Sequence, residues 1–243
     1  MMCLKVKEGE YPPPPPAPPA RSGGAIGRFV DGAQVFFKEC FSNAYYVWIF
    51  LGWTFSTLAF IPVNSFSIPY HVSVHMPAQS YGNFIALTYV FSLVLSYPLG
   101  VVCDRFHPLR VSIVATALYA VCAAWGGLFA TNAHTFAIGL VAHGVLSGTF
   151  FTTSASLGQR LYPHARFAQF ASAATMILAI SQVMLGPALG HFLDLTGHNY
   201  RYTFTFGMVL SLLGMSCLLV VQRKFMALGG PKHYVAPACG EHE

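Results

Sequence analysis

Apolar residues run in six long blocks along this chain, over 45–66, 81–102, 110–130, 135–157, 166–193 and 202–221. Short stretches rich in turn formers and polar residues part them, at 69–80, 104–108, 131–134, 158–164 and 194–200. About 20 apolar residues in helical form cross a hydrocarbon core of about 30 Å. Each block therefore predicts one membrane-spanning helix, and the fifth is long enough to tilt or to extend past the bilayer. Ahead of the first block the pattern changes. Ile26, Phe29, Val30, Ala33, Phe37, Cys40 and Phe41 recur at helical spacing, with Arg28, Asp31, Gln34 and Lys38 opposite. That predicts an amphipathic helix over about 26–41, either lying on the cytoplasmic membrane face or packing against the loops.

The rest of the lead-in is polar. Met1 to Tyr11 has Lys5 and Lys7 but no apolar run behind them, so it does not read as a signal peptide. Pro12–Pro16 and Pro18–Pro19 form an extended spacer; an SH3-type ligand is the rarer use of such a tract. The expected organisation is a cytoplasmic Pro-rich linker over 1–44, a transmembrane domain over 45–222 and a cytoplasmic tail over 223–243.

Composition agrees: 55% of residues are hydrophobic and 9% charged, against about 25% charged in ordinary soluble domains. Of the 13 Lys and Arg residues, only Arg201 falls on one side of the six-span arrangement. The rest lie before span 1, between spans 2 and 3, between spans 4 and 5, or after span 6. The positive-inside rule then places both termini in the cytoplasm. The net charge of +5 is thus spent on topology, not on nucleic acid. Six scattered cysteines show no metal or disulfide spacing, and Cys122 and Cys217 sit within apolar runs as small packing residues.

The most informative motif closes span 2. Gly100, Asp104 and Arg105, with Arg110 nearby, form Gly-x-x-x-Asp-Arg followed by a further Arg. Gly100 and Asp104 share a helix face, and Gly100 would let a neighbouring helix approach closely. The pattern resembles the short loop motif of the major facilitator superfamily of secondary transporters. The chain departs from that motif in having His107 where a glycine is usual and Pro108-Leu109 in place of a basic pair. Leu161-Tyr162-Pro163-x-x-Arg166 resembles the turn that often precedes the fifth helix of a facilitator half, with Arg160 where an acid is frequent. Leu-Gly-x-x-x-Asp occurs twice, at Leu99–Asp104 and Leu189–Asp194, each copy preceded by a proline, Pro98 or Pro187. One copy exits to each side, as inverted repeats of spans 1–3 and 4–6 would have it.

The resemblance implies an all-α membrane protein, six transmembrane helices forming one facilitator half of 3+3 inverted repeats. The Pro-rich lead-in makes it the C-terminal half, with Met1–Leu4 the tail of a preceding helix. Its partners would be a small solute, the lipid bilayer and a missing N-terminal six-helix half or a second copy. Asp104 would find its gate partner on helices outside this chain. The implied subgroup is the glycoside and sugar symporters, and the implied location the plasma membrane.

In that family the first, second, fourth and fifth helices of a half line the cavity, while the third and sixth face lipid. Candidate lining residues are Trp53, Thr57 and Asn64 in span 1, with Pro62 interrupting the helix beside Asn64. Span 2 offers Tyr81, Thr88, Tyr89 and Ser92; span 4 offers His143, Ser147 and Ser154; span 5 offers Ser172, Thr175 and Gln182. Hydroxyls in membrane helices commonly bond their own backbone or glue helices together, and a buried His is commonly a packing residue. His143 is the ionisable side chain nearest the middle of a span, and proton relay is its functional use. Spans 3 and 6 have no Asn or Gln and no ionisable group at mid-depth by this reading. Neutral hydroxyl, amide and aromatic groups suit an uncharged polyol or sugar. Any coupling carboxylate would belong to the other half.

His71 and His75 have no third ligand for a metal, and no cofactor is implied. There is no Walker loop, G-x-S-x-G or H-E-x-x-H, so the chain reads as a transporter and not an enzyme. The alternative is a stand-alone six-helix protein acting as a homodimeric carrier or an assembly partner.

Overall fold

A computed structural model describes residues 25–237. The polyproline spacer, Met1–Leu4, Cys3 and Cys239 lie outside the described residues. Among those described, helices follow one another without strands: α1 (Ala25–Phe41), α2 (Ala44–Leu58), α3 (Ile61–Ser73), α4 (Ala78–Phe106), α5 (Pro108–Phe129), α6 (Ala133–Ser154), α7 (Leu157–Leu161), α8 (Phe167–Leu195), α9 (Arg201–Ala227) and α10 (Gly230–His233). Six are membrane-length and apolar once α2 joins α3 and the short α7 extends α6.

Local chemistry explains the boundaries. Asn43 caps α2, its side-chain oxygen accepting from Tyr45 N–H at 2.9 Å. Asn132 caps α6 with a reciprocal box in which Thr135 reaches back to the Asn132 N–H. The first span is broken at Ala59 and Phe60, because Pro62 in the first turn of α3 has no N–H for the helical ladder. The span then runs on to Ser73, past the expected end at 66. Pro69 is accommodated inside α3, as membrane helices tolerate when neighbours serve the freed groups.

Small residues set the helix spacing, since in lipid packing has to come from close van der Waals contact. On α9, a Cβ at Gly214 would lie 2.7 Å from the Ser56 backbone nitrogen of α2, and one at Gly207 would lie 2.8 Å from the Ala59 carbonyl oxygen. On α6, Gly144 receives Thr88 and Gly148 receives Ser92, both from α4. Aromatic clusters fill the interior in three tiers. Tyr46, Phe50, Phe170 and Phe225 lie at the end of the bundle that carries α1 and α10. Phe60, Tyr119 and Phe150 lie midway, and Tyr70, Phe136 and Phe204 at the far end.

The last turns of α1 pack onto the bundle through buried Cys40 and through Phe41 against Phe50. Glu39 fastens them by ion-pairing Arg166 at 2.8 Å and accepting from Gln169 at 2.8 Å. The first turns of the same apolar stripe, Ile26, Phe29 and Val30, are exposed. Beyond α9 the chain folds back: Tyr234 donates to the Leu161 carbonyl, and Tyr46 donates to that of Pro237.

The least buried spans are α4 and α8. Both have 29 residues, and both carry a proline eight residues before their end, at Pro98 and Pro187. Gly82 and Gly100 on α4, and Gly186 and Gly190 on α8, face open space. The close helix approach expected at Gly100 is therefore not made within the described residues; the small residues that seat α4 are on α6.

Candidate solute-binding site

The break in the first span puts polar groups at mid-depth. There the Tyr119 hydroxyl, from α5, approaches the Ala59 carbonyl at 3.1 Å and His143 Nδ1 at 2.9 Å. His143, from α6, has its Nε2 3.0 Å from Asn64 Oδ1 on α3. Four elements thus meet in one chain: the break, α5, α6 and α3. His143 is 1% exposed and Tyr119 fully buried, while Asn64 is exposed. Phe60 and Phe204 lie edge-on to the His143 ring, and Phe60 also packs edge-on to Tyr119, with ring centres 4.5 Å apart. A polar chain sheathed in aromatics therefore ends in an accessible amide.

Two sequence candidates, Asn64 and His143, belong to this cluster. Tyr119 was missed, because span 3 was read as a lipid-facing helix with no Asn, Gln or ionisable group at mid-depth. Its signal was available: a Tyr inside an apolar block needs a partner for its hydroxyl when buried. Trp53 takes no part in the hydrogen-bond chain, though it packs against the tier that holds Phe60 and Tyr119. It lines a cavity of about 260 Å³ toward the α1 end, with Ser154, Tyr162, Phe167 and Thr175. Thr57, expected on the same face as Trp53 and Asn64, is buried with its hydroxyl unpaired, as are Thr54 and Ser56.

The remaining candidates separate. Tyr89 is 72% exposed on the outside of α4. Ser147 bonds the Gly144 carbonyl of its own helix, and Ser172 and Thr175 do the same on α8. Thr88 and Ser92 are seated on the α6 glycines and serve packing. Tyr81 bonds Ser67 and stacks on His71, whose Nδ1 faces the Met76 carbonyl. Gln182 is half-buried on α8, away from the cluster.

A second polar region lies at the α1 end. Asp104 pairs with Arg160 at 3.1 Å, so it has a partner inside the chain as well as any outside it. Arg105 lies over the Phe106 ring, and Arg110 reaches the Met226 sulfur at 3.6 Å. Between α4 and α5, His107 adopts φ 74°, a region that favours glycine. Its Nδ1 accepts from Leu109 N–H at 3.3 Å, capping α5, and its ring packs on Phe225. Burial, aided by the nearby Arg160 and Arg110 cations, lowers the His107 pKa to about 4. A neutral ring keeps the lone pair that this cap requires.

The family model described as Major Facilitator Superfamily matches residues 47–232. No curated protein matches the chain.

Proposed function

The chain belongs to the Major Facilitator Superfamily, and on that premise we propose that it carries a small uncharged polar solute across the membrane by alternating access. Family and spans together make it an integral multi-pass membrane protein of transport function. We further propose a sugar or polyol as solute, this unit as the C-terminal half, both termini in the cytoplasm, and the plasma membrane as location. One observation carries the solute class. The accessible Asn64 amide is backed by neutral hydrogen-bonding groups, His143 and Tyr119, with no carboxylate among the described residues bonded to any of them. Such a site suits hydroxyl groups better than an ion.

The working unit is proposed to need a second set of six helices. Supporting this, α4 and α8 are the least buried spans, and their glycines at 82, 100, 186 and 190 meet nothing among the described residues. Small residues of that kind let another helix come close. A second half encoded upstream and a second copy of this chain both satisfy that need. Symmetric cross-linking through cysteines placed at Tyr97 and Val183, exposed on the same helix faces as Gly100 and Gly190, favours the copy; an in-frame upstream stretch encoding six more spans favours the half. For transport itself, the chain with its second unit is reconstituted into liposomes and tested for uptake of labelled hexoses and polyols. Uptake lost in Asn64→Ala at unchanged expression supports the reading. Uptake unaltered in that variant removes Asn64 from the path.

A further inference from the structure

The Asn64–His143–Tyr119 chain contains a hydrogen-bond count that assigns its polarity. Three contacts run in series: Tyr119 Oη to the Ala59 carbonyl, Tyr119 Oη to His143 Nδ1, and His143 Nε2 to the Asn64 side chain. Each needs one hydrogen. A phenol supplies one and a neutral imidazole supplies one. An imidazolium would supply the third, but it would be an enclosed charge, since no acidic side chain among the described residues bonds it. The facing groups are Tyr119 from α5, Asn64 from α3, Phe60 at the break and Phe204 from α9.

Two neutral arrangements keep a hydrogen in both contacts of the His143 ring. In one, Tyr119 donates to His143, Nε2–H donates to Asn64 Oδ1, and the Ala59 carbonyl loses the phenol. In the other, Tyr119 donates to Ala59, Nδ1–H donates to the phenol oxygen, and the Asn64 amide is turned so that its NH2 donates to Nε2. The two orientations of an Asn amide are told apart by the bonding network. Burial decides between them. Ala59 is fully buried at the break, and stripping a donor from a buried carbonyl costs about 1–3 kcal/mol. Asn64 is exposed, so whichever end turns outward is served by water or solute.

Resting on the transport reading, we infer that Asn64 presents its side-chain oxygen to the open side and takes a hydrogen-bond donor, a hydroxyl group, from the solute. His143, as the Nδ1–H tautomer, and Tyr119 are positioning residues that fix this polarity. The break in the first span and the solute then sit at opposite ends of one hydrogen-bond chain. A solute hydroxyl that donates to the Asn64 oxygen holds the amide in this orientation and keeps the Ala59 carbonyl capped, which links the presence of solute to the shape of the broken helix.

The test uses the full chain with 15N-labelled histidine and asparagine in lipid nanodiscs. His143 signals are assigned by their contacts to the Tyr119 and Phe60 rings, so no variant is needed for the assignment. The expected result is an unprotonated Nε2 and a protonated Nδ1 at neutral pH. In Tyr119→Phe the proton has no acceptor at Nδ1 and moves to Nε2, with Asn64 turning to accept it. An Nε2–H tautomer in the native chain, or the same tautomer in both proteins, overturns the inference. Mannitol added to the native protein is expected to shift the Asn64 and His143 signals, while glycine betaine, which has no hydroxyl, leaves them in place. Equal shifts, or none with mannitol, overturn the solute assignment. The tautomer is read without any transport, so a protein that shows it and moves no sugar fails the transport reading alone.

Discussion

Asp104, in the last turn of α4, and Arg160, in the short helix α7, form an ion pair of 3.1 Å across the end of the bundle. Both side chains are well exposed, at 78% and 42%. An exposed pair contributes about 0–1 kcal/mol. In a protein of this size that moves the melting temperature by no more than about 2–4 °C. Asp104→Asn and Arg160→Gln are each expected to stay within that range by thermal unfolding in detergent. The same variants are expected to alter the rate of solute exchange, because the pair joins the ends of the second and fourth spans. A large loss of stability would mean that the pair is a structural clamp.

His107 is expected to make stability depend on pH. Its pKa is near 4 in the folded chain against 6.5 unfolded, mainly because it is buried. The unfolded state therefore takes the proton first as pH falls. The contribution of His107 is complete above pH 6.5 and declines between 6.5 and 4. His107→Asn keeps a side-chain acceptor for Leu109 N–H and tolerates positive φ, and it does not titrate. Unfolding temperatures measured from pH 7.5 to 4 should fall less steeply in the variant than in the native chain.

The two kinds of glycine separate fold from assembly. Gly214→Ala drives a Cβ against the Ser56 backbone, where rigid main chain has to move. Overpacking of this sort costs about 1–3 kcal/mol, and the variant is expected to unfold several degrees lower. Gly100→Ala and Gly190→Ala meet open space. Removing a helical glycine should instead raise stability by about 0.5–1 kcal/mol. If a second six-helix unit docks there, those variants should lose cross-linking while remaining well folded.

How much was legible follows from which residues act alone. Six spans could be read because a bilayer demands long apolar runs whatever they touch. The break was foreshadowed by Pro62, whose missing N–H is local, and His143 by being a rare ionisable group at depth. Pairings were not legible. Thr88 and Ser92 look like cavity hydroxyls until α6 brings Gly144 and Gly148 against them. Asp104 and Arg160 are 56 residues apart, and only the packing of α4 on α6, which α7 continues, brings them together. Pro69 looked like the end of a span because helix breaking is its rule in water. Trp53, Thr57 and Asn64 share a face only if the helix is continuous, and the break at Ala59 turns that face.

The amphipathic stripe of α1 gives a further expectation. Its last turns are held by Glu39 on Arg166 and Gln169, and its first turns leave Ile26 and Phe29 exposed. On the proposal that α1 lies on the membrane surface, those side chains enter the headgroup boundary. A photoreactive benzophenone in place of Phe29 should then form lipid adducts by intact mass, and one in place of Gln34 on the polar face should not. Adducts to polypeptide at position 29 would assign the stripe to a protein partner.

Tyr119→Phe and Asn64→Ala should fail in opposite ways, although the two residues belong to one chain of hydrogen bonds. Tyr119 is fully buried and serves both the Ala59 carbonyl and His143. Replacing it leaves a buried carbonyl short of a donor, at about 1–3 kcal/mol, so the unfolding temperature should drop measurably, while the Asn64 amide turns over but stays at the open end of the chain. Asn64 is exposed, and water can take its place beside His143 Nε2. Its removal should leave unfolding nearly unchanged and raise the apparent KM for the solute. Equal stability losses in the two variants would mean that Asn64 is a packing residue, and that the amide at the end of this chain does not face the transport path.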